Sequence, residues 1–360
     1  MIDRSGALAS WARREAGVAG GDWQIVSGDA SFRRYFRLQE PRLQESRLQE
    51  PRLQKPPSQA AGSGPDNRSW IAVDAPPERE NSGHFVALSR ALRERGIPTP
   101  EVYAADLQQG FLLLEDFGDT LLLSKLNPQS VAAYYRDAMS LLAQWQAIAA
   151  LPVSLSGYEP ARLQMEMELF PTWLLEQHLR RPFDAREQAI YQQFMKRLLA
   201  NAAEQPIVLC HRDFHSRNLM LRDGQRTPGV IDFQDAVWGP ATYDLVSLLR
   251  DCYIEWPANR VREWALQYRD RYVGSGGRAV GDAEWLRWFD WMGLQRHLKI
   301  LGIFARLHHR DGKRGYLKDL PLTLRYCISV AEQYPELQAF ADWLRINVAA
   351  RLGSNGEVKR

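Results

Sequence analysis

Residues 207–221 read I-V-L-C-H-R-D-F-H-S-R-N-L-M-L, and residues 229–237, after a short turn, read G-V-I-D-F-Q-D-A-V. Each segment begins with an apolar run of the kind that forms a short strand, so the two together predict a hairpin. The first strand leads to Asp213, and Asn218 follows five residues later. Asp232 closes the second strand. The pattern therefore delivers two carboxylates and one amide at the ends of two strands.

These three side chains have the chemistry of a phosphotransfer site. Mg²⁺ prefers carboxylate and amide oxygens together with substrate phosphates, in octahedral geometry. Asn218 and Asp232 are the candidate metal ligands, and the remaining carboxylate, Asp213, is the candidate catalytic base. Such a set suffices to move a phosphoryl group from ATP to a hydroxyl. The spacing H-x-D-x-x-x-x-N followed by D-F has the logic of a protein-kinase catalytic loop; the alternative is a hairpin with solvated carboxylates.

The composition narrows the classes of protein to consider. The chain has 360 residues, 45% apolar and 25% charged, which is enough for two lobes of ordinary globular make-up. A net charge of +3 gives no reason to expect a nucleic-acid partner. The three cysteines lie far apart, and neither a leader peptide nor a membrane span is visible. We expect a cytoplasmic protein without membrane contact, and a monomer.

Residues 1–117 predict a first, nucleotide-covering lobe. A short amphipathic helix precedes a strand, and the strand runs into G-D-A-S-F-R-R-Y-F-R-L, residues 28–38. Small residues in this turn would let backbone amides approach an anion. An ordinary hairpin turn is the alternative when this segment is considered alone. The candidate phosphate-covering residues are Ala30, Ser31, Phe32, Arg33 and Arg34.

A low-complexity insertion interrupts the first lobe. Residues 37–56 repeat R-L-Q-E-P with small variations, and a tract rich in Ser, Gly and Pro follows up to about residue 69. The prolines prevent a continuous helix, and a period of five matches no stacking repeat architecture. We interpret residues 39–69 as an insertion in the loop between two strands.

The rest of the first lobe predicts a small, mainly antiparallel sheet. Residues 70–73 resume as a strand, a helix follows to about residue 95, and two further strands end at E-D-F-G, residues 115–118. Strands and helices of this order indicate an α+β unit. A hinge is expected at the end of the last strand, and adenine would lie against it. The candidate hinge contacts are Leu114, Glu115, Asp116 and Phe117.

Residues 118–360 predict a second, mainly helical lobe, because apolar residues recur there at helical spacing. The expected helices cover residues 131–150, 165–180, 186–203, a segment from about 242, then 259–273, 283–307 and 321–351. Asp244 lies in the first turn of the helix near residue 242, where it could stabilise the helix start or anchor the catalytic segment. His211 and Arg212 are expected to brace that segment.

The helix at 283–307 carries a stripe of large apolar side chains, and a stripe at this spacing is expected to pack in the hydrophobic core. Its polar residues Gln295, Arg296, His297 and Lys299 could face a cleft, and a solvated helix face is the favoured alternative. No zinc set of histidines with cysteine is visible. The pair His308 and His309 is expected at the surface.

The whole pattern resembles the aminoglycoside phosphotransferase/choline-kinase family. The segments that carry the resemblance are H-R-D-F-H-S-R-N-L-M and V-I-D-F-Q-D-A, and it extends over about residues 27–337. The resemblance implies an α+β, protein-kinase-like fold with two lobes, a small antiparallel-sheet lobe and a larger mainly helical lobe. ATP and Mg²⁺ are the cofactors that it implies.

Looser segments resemble one branch of that family. They include G-D-A-S-F-R-R-Y-F-R and L-Q-R-H-L-K-I-L-G-I-F-A-R-L. They resemble the anomeric sugar kinases of bacterial cell-wall recycling, which implies phosphorylation of the C1 hydroxyl of N-acetylmuramate or N-acetylglucosamine. The candidate substrate contacts are Gln234, Asp235, Arg296, His297 and Lys299.

One departure from the family concerns the third strand. Protein kinases and typical aminoglycoside phosphotransferases carry a lysine there to hold phosphates, whereas residues 70–74 read W-I-A-V-D. Either Arg33 or Arg34 supplies the positive charge, or ATP is held through Mg²⁺ and backbone amides. Other interpretations of the chain are a kinase of an aminoglycoside or amino alcohol, a nucleotide-binding pseudokinase, and an interaction module built on the repeat.

Overall fold

A computed structural model describes residues 4–28, 32–40 and 68–359. The predictions that concern Ala30, Ser31 and nearly all of the insertion at 39–69 fall outside these residues. Within them, no helix is long and apolar enough to cross a lipid bilayer.

The described strands, in chain order, are β1 Asp22–Gly28, β2 Arg34–Gln39, β3 Ser69–Asp74, β4 Val102–Asp106, β5 Phe111–Glu115, β6 Ile207–Cys210, β7 Leu219–Met220, β8 Gly229–Val230 and β9 Val237–Pro240. The described α-helices are α1 Arg4–Ala16, α2 Ser82–Arg93, α3 Val131–Gln146, α4 Pro160–Met167, α5 Ala185–Ala203, α6 Tyr243–Leu249, α7 Ala258–Gly274, α8 Asp282–His309, α9 Leu320–Ala331 and α10 Gln338–Leu344. Two π-helical segments, Phe170–His178 and Arg345–Ala349, follow α4 and α10.

The chain divides into two compact units. The sheet unit comprises the residues up to Ser124, together with Leu151–Val153 and Leu219–Gln234. The helical unit comprises Lys125–Ala150, Ser154–Asn218 and Asp235–Arg360. The expected lobe boundary between residues 117 and 118 stays a prediction.

The sheet unit is built on a five-stranded sheet in the order β1-β2-β3-β5-β4, in which every neighbouring pair is antiparallel. Helix α1 covers one face of it, where Leu8 and Trp11 join a buried cluster with Phe111 and Leu113 of β5. Alternate residues of a strand point to the same face, so the two strand residues serve one core. This sheet confirms the small antiparallel-sheet lobe expected from the sequence.

Helix α8, of 28 residues, is the centre of the helical unit. The second half of α8 packs with the segment Phe170–His178, α9 and α10 in one large buried cluster. The mainly helical character expected for this part of the chain is confirmed.

Two of the expected long helices are wrong, and proline gives the physical reason in both. The helix predicted over 165–180 changes into a π-helical segment that contains Pro171 in its first turn. The helix predicted over 321–351 is interrupted at Pro335, after which α10 begins. Proline has no amide hydrogen and clashes with the preceding turn, so a regular helix cannot continue through it.

The predicted hairpin of the stretch at 207–237 is also wrong. Strand β6 pairs with β9, and β7 pairs with β8, so two separate two-stranded sheets are formed. The segment that holds β7 and β8 belongs to the sheet unit, whereas β6 and β9 belong to the helical unit. Apolar character predicted that strands form here, but it does not specify which strands pair.

Two glycines of α8 allow a test of how closely this helix packs, because one supplies the variant and the other the control. A β-carbon added at Gly302 would overlap the backbone of Leu169, whereas one added at Gly293 meets the far end of the Arg250 side chain, 3.2 Å away. We expect Gly302→Ala to lower the free energy of unfolding by about 1–3 kcal/mol through overpacking. Gly293→Ala should stay within about 1 kcal/mol of the parent, because alanine favours the helix.

Thermal unfolding followed by circular dichroism checks this. In a unit of this size each kcal/mol lowers the midpoint by about 2–4 °C. Equal midpoints for the two variants would contradict the close approach of α8 to Leu169.

Candidate active site

The loop after β6 is held by one buried carboxylate in the helical unit. Asp244, in the first turn of α6, accepts the backbone N–H of His211 at 2.6 Å and that of Arg212 at 2.9 Å. The Asp244 side chain is fully buried. Burial raises the pKa of Asp244 to about 7, while the two amide donors favour its ionised form. These contacts are those of a residue that anchors the loop.

Arg212 adopts a backbone conformation that non-glycine residues rarely use, with φ of 79°. Such a conformation persists only where the surroundings fix it. Here the amide of Arg212 donates to Asp244, and its guanidinium donates to Glu166 at 2.7 Å. The ring of His211 packs against Trp145, with centroids 5.3 Å apart. The loop before Asp213 is therefore fixed on both sides.

The loop from Asp213 to Asn218 is a tight turn with its own hydrogen bonds. The amide of His215 donates to the carbonyl oxygen of Asp213 at 2.9 Å, and the side-chain amide of Asn218 donates to that same oxygen at 3.0 Å. Ser216 donates to the buried Asp251 through both its amide and its hydroxyl. The structure thus holds the candidate base and the candidate metal ligand of this unit at a fixed spacing.

The carboxylate of Asp213 is oriented by an arginine from α8. Nη1 of Arg296 lies 3.2 Å from Oδ1 of Asp213 and donates to the carbonyl oxygen of Arg212 at 2.7 Å. The Asp213 side chain is 41% exposed, whereas that of Arg296 is 3% exposed. The carboxylate of Asp213 is therefore accessible from solvent, and Arg296 contacts it from the protein interior.

The charge around Asp213 keeps it ionised. The partial burial of Asp213 alone would raise its pKa. The positive groups around it, Arg296, Lys299, His215 and Arg212, outweigh that effect and hold the pKa of Asp213 well below its ordinary value. An ionised carboxylate can accept a proton, as a general base must.

A buried polar network extends from this ion pair. Nζ of Lys299 lies 3.4 Å from Oε1 of Glu166 and 3.2 Å from the hydroxyl of Tyr243. Tyr158 donates its hydroxyl to Glu166 and contacts the same lysine. With Arg212 and Arg296, the network holds three cations against the carboxylates of Glu166 and Asp213. An unpaired buried cation is costly, and each of these three cations lies beside a carboxylate.

Three members of this network were missed by sequence reasoning, namely Tyr158, Glu166 and Tyr243. A signal was present for Glu166, which lies in α4 between the buried Leu163 and Met167. A carboxylate on the apolar face of a helix needs a buried partner.

The solvated-face interpretation of the α8 polar residues is wrong, because Gln295, Arg296, His297 and Lys299 are all buried. They do not share one role. Only Arg296 and Lys299 reach the network around Asp213. His297 instead stacks on Tyr326, with centroids 5.0 Å apart, and its Nε2 lies 3.0 Å from the carbonyl oxygen of Arg250. Burial lowers the pKa of His297 to about 3, so its ring is neutral.

In the sheet unit, Asp232 follows β8 with a φ of 63°, which is a left-handed conformation like that of Arg212. Its Oδ1 accepts the side-chain amide of Gln234 at 2.7 Å. Phe233 between them is fully buried and stacks on Phe85 of α2, with centroids 5.0 Å apart. The packed ring fixes the backbone on which the Asp232 carboxylate is presented.

The oxygen atoms at and beside the Asp232 carboxylate are of the type that binds a hard cation. Oε1 of Gln234 is buried and has no hydrogen-bond partner among the residues that the structure describes. An oxygen in that position normally finds a partner, which can be an ion or ordered water. A carboxylate and an orphaned amide oxygen side by side are the ligand types that Mg²⁺ accepts. The exposed Asp235 follows directly but belongs to the helical unit.

The predicted hinge residues are largely engaged within the sheet unit. Leu114 is buried, and Phe117 packs against Gly229. The carboxylate of Glu115 accepts the amide of Glu101 at 3.1 Å. Asp116 pairs with Arg37 at 2.6 Å. The side chains of these residues are therefore committed to the fold, which leaves backbone groups as the candidate contacts for a nucleotide.

The two arginines of the predicted phosphate loop differ in exposure. Arg33 is 7% exposed and pairs with Glu80 at 3.1 Å. Arg34 is 53% exposed and pairs with Asp74 at the end of β3. Phe32 is exposed, and a guanidinium lies over its ring.

Comparison with known proteins agrees with this architecture. Residues 22–289 match the model of a family described as "Phosphotransferase enzyme family". The chain is 38% identical to the N-acetylmuramate/N-acetylglucosamine kinase of Pseudomonas putida over 321 residues, which cover 89% of this chain and 86% of that protein. It is 36% identical to the kinase of the same name from Neisseria meningitidis over 323 residues, 88% of this chain and 87% of that one.

Solved structures agree on the fold. A choline/ethanolamine kinase family protein from Mesorhizobium loti superposes with a TM-score of 0.59 over 96% of this chain and 100% of its own, at 14% identity. The ADP-bound aminoglycoside phosphotransferase APH(2'')-Ib gives 0.55 over 91% of this chain and 98% of its own, also at 14% identity. The expected protein-kinase-like fold is confirmed. Since the family model spans most of the sequence and the relatives match nearly all of it, the chain belongs to the phosphotransferase enzyme family.

Proposed function

We propose that this protein is an ATP-dependent sugar kinase that phosphorylates the anomeric C1 hydroxyl of N-acetylmuramate or N-acetylglucosamine. The observation that carries phosphotransfer is the exposed Asp213 carboxylate, held ionised by a buried arginine at the end of a strand. The names of the relatives, over nearly their whole length, support the amino-sugar acceptor. Peptidoglycan recycling would supply such sugars.

In this proposal Asp213 accepts the proton of the sugar hydroxyl as its oxygen attacks the γ-phosphorus of ATP. The bond from that phosphorus to the bridging oxygen breaks, and ADP leaves. A positioned base and aligned reactants supply much of the rate enhancement in such a transfer. Arg296 is a positioning residue, because it contacts the carboxylate and is itself buried.

Mg²⁺, when bound, would neutralise charge on the transferred phosphate. Asn218 and Asp232 are the proposed ligands, since both offer hard oxygens from backbone that is fixed by local bonds or packing. Gln234 lies against Asp232 and supports its orientation. The nucleotide would be contacted by backbone groups of residues 114–117 and of the loop at 30–34, with positive charge from Arg33 or Arg34.

The acceptor is expected to be neutral or acidic rather than a polycation. Arg212, Arg296 and Lys299 lie around Asp213 and are matched by the carboxylates of Glu166, Asp213 and Asp244, so the network adds no excess of negative charge. An aminoglycoside would require such an excess for electrostatic complementarity. A neutral or acidic sugar does not require it. Gln234 and Asp235 are proposed sugar contacts.

The first test is substrate identity. The chain should consume ATP with N-acetylmuramate and N-acetylglucosamine, and much less with kanamycin or choline. ³¹P NMR of the product should locate phosphate on C1. Asp213→Asn should lower kcat by about 10²–10⁴-fold, the usual contribution of a general base. Turnover with kanamycin or choline alone would discard the sugar, and ATP binding without any turnover would favour a pseudokinase.

The second test concerns Arg296. Replacing it with methionine removes the charge that orients Asp213 but keeps an unbranched side chain. We expect kcat to fall on the order of 10²-fold, as for a misplaced catalytic group, with the KM for ATP nearly unchanged. Arg296→Lys should recover part of the loss.

The matched control for Arg296 is Arg287→Met on the same helix. Arg287 pairs with Glu204 and donates to Asn201, both at the end of α5. An equal loss of kcat in both methionine variants would show that the arginine contributes only to stability.

The third test concerns Asp244. Asn at this position can accept only one of the two backbone amides, so the other loses its partner, at a cost of about 1–3 kcal/mol. We expect Asp244→Asn to lower the unfolding midpoint and also kcat, on the order of tenfold or more, because the loop before Asp213 shifts.

Asp290→Asn is the control for Asp244. Asp290 is also buried, and it accepts hydrogen bonds from Arg250 and Tyr334 away from the loop. It should lower the midpoint while kcat, measured well below that midpoint, stays near the parent value. A full kcat in Asp244→Asn would contradict the anchoring role.

A further inference from the structure

A cluster of three histidines lies at the end of α8, on residues that the proposed kinase reaction does not use. His308 and His309 end that helix, and His178 ends the π-helical segment that packs against it. One ring nitrogen from each of the three lies within 4.8 Å of the other two. The sequence analysis treated His308 and His309 as a surface pair and did not consider His178. His178 and His309 are separated by 131 positions in the sequence, and only the folded structure brings them together.

The hydrogen bonds of His178 define which of its nitrogens can bind a ligand. Its Nε2 lies 2.8 Å from the carbonyl oxygen of Gly356. A carbonyl oxygen can only accept, so Nε2 carries the proton and Nδ1 presents a lone pair. Metal-binding histidines commonly have this arrangement, in which the second ring nitrogen donates to a backbone carbonyl and fixes the ring.

The spacing of the ring nitrogens also fits a metal. Nδ1 of His178 lies 3.1 Å from Nε2 of His309. Two nitrogens bound to one zinc ion at about 2.0–2.1 Å in a tetrahedral site are about 3.4 Å apart. One ring nitrogen of His308 lies within 4.8 Å of those of His178 and His309, so the third ring has to turn toward them to reach the same ion. A hydrogen bond between the two rings is the alternative, and it requires no metal.

His308 supplies an observation that the ring-to-ring hydrogen bond does not explain. Its Nδ1 is buried from water and has no hydrogen-bond partner among the residues described by the structure. A buried nitrogen without a partner points to a missing ion or water.

We propose that His178, His308 and His309 bind one divalent transition-metal ion of the zinc type, with the fourth position open to water. Imidazole nitrogens suit Zn²⁺ and its neighbours, whereas Mg²⁺ prefers oxygen. The ion would join the ends of two helical segments to the segment around Gly356, which His178 already contacts. Its role is structural and independent of the Mg²⁺ that the kinase reaction uses.

The test is titration of the metal-free full chain, without a histidine tag, with zinc chloride alone. Isothermal calorimetry should report one ion per chain, and zinc should raise the thermal midpoint. Cobalt(II) at the same site should give the visible absorption of a tetrahedral complex. His309→Gln, at the exposed ligand, should weaken zinc binding by at least about tenfold, and His308→Gln should do the same.

His84→Gln is the matched control, since His84 lies in α2 of the sheet unit, outside the cluster. It should bind zinc as the parent does. The three cysteines are buried and free, so a thiolate spectrum with cobalt is not expected. Zinc binding of unchanged affinity in His309→Gln, or no stoichiometric binding to the parent, would overturn the proposal and leave a hydrogen-bonded histidine cluster.

Discussion

The candidate active site depends on one buried carboxylate. Asp244 satisfies two consecutive backbone amides, those of His211 and Arg212, at a point where the chain leaves β6 and cannot use strand pairing. Buried amides without partners are costly, so this contact determines the path of the loop. The left-handed conformation of Arg212 follows from that path. The position of the Asp213 side chain depends on this turn at His211 and Arg212.

The charges around Asp213 follow from burial. Three cations, Arg212, Arg296 and Lys299, lie in a region from which water is largely excluded. They are stabilised there by ion pairs with Glu166 and Asp213 and by the hydroxyls of Tyr158 and Tyr243. A buried pair is favourable only when its remaining polar atoms are satisfied. The same arrangement holds the pKa of Asp213 below its ordinary value and so keeps this carboxylate ionised. Stability and chemistry therefore use the same side chains.

The sequence was sufficient for the parts of the structure that depend on local pattern. Periodicity identified α8 and the antiparallel strands, and the spacing of Asp213, Asn218 and Asp232 identified the family. The pairing of the strands within residues 207–237 was mispredicted, because apolar runs do not specify partners. The network of Glu166, Lys299 and Tyr243 was hidden for a related reason. Its members are far apart in the chain, and each alone resembles an ordinary helix residue. Proximity arises only from the packing of α4 and α6 on α8.

The ion pairs of Arg33 and Arg34 indicate which of the two could take the place of the lysine that β3 lacks. Asp74 ends β3 fully buried and receives two arginines, Arg4 on Oδ1 and Arg34 on Oδ2. Arg33 is committed to Glu80 and is nearly buried. If Arg34 turned toward a phosphate, Asp74 would still have Arg4 as a partner, so no buried charge would be left alone. Withdrawing Arg33 would instead strip Glu80 of its cation. Since a largely buried carboxylate without its cation is the costly outcome, we expect Arg34 rather than Arg33 to contact a bound nucleotide.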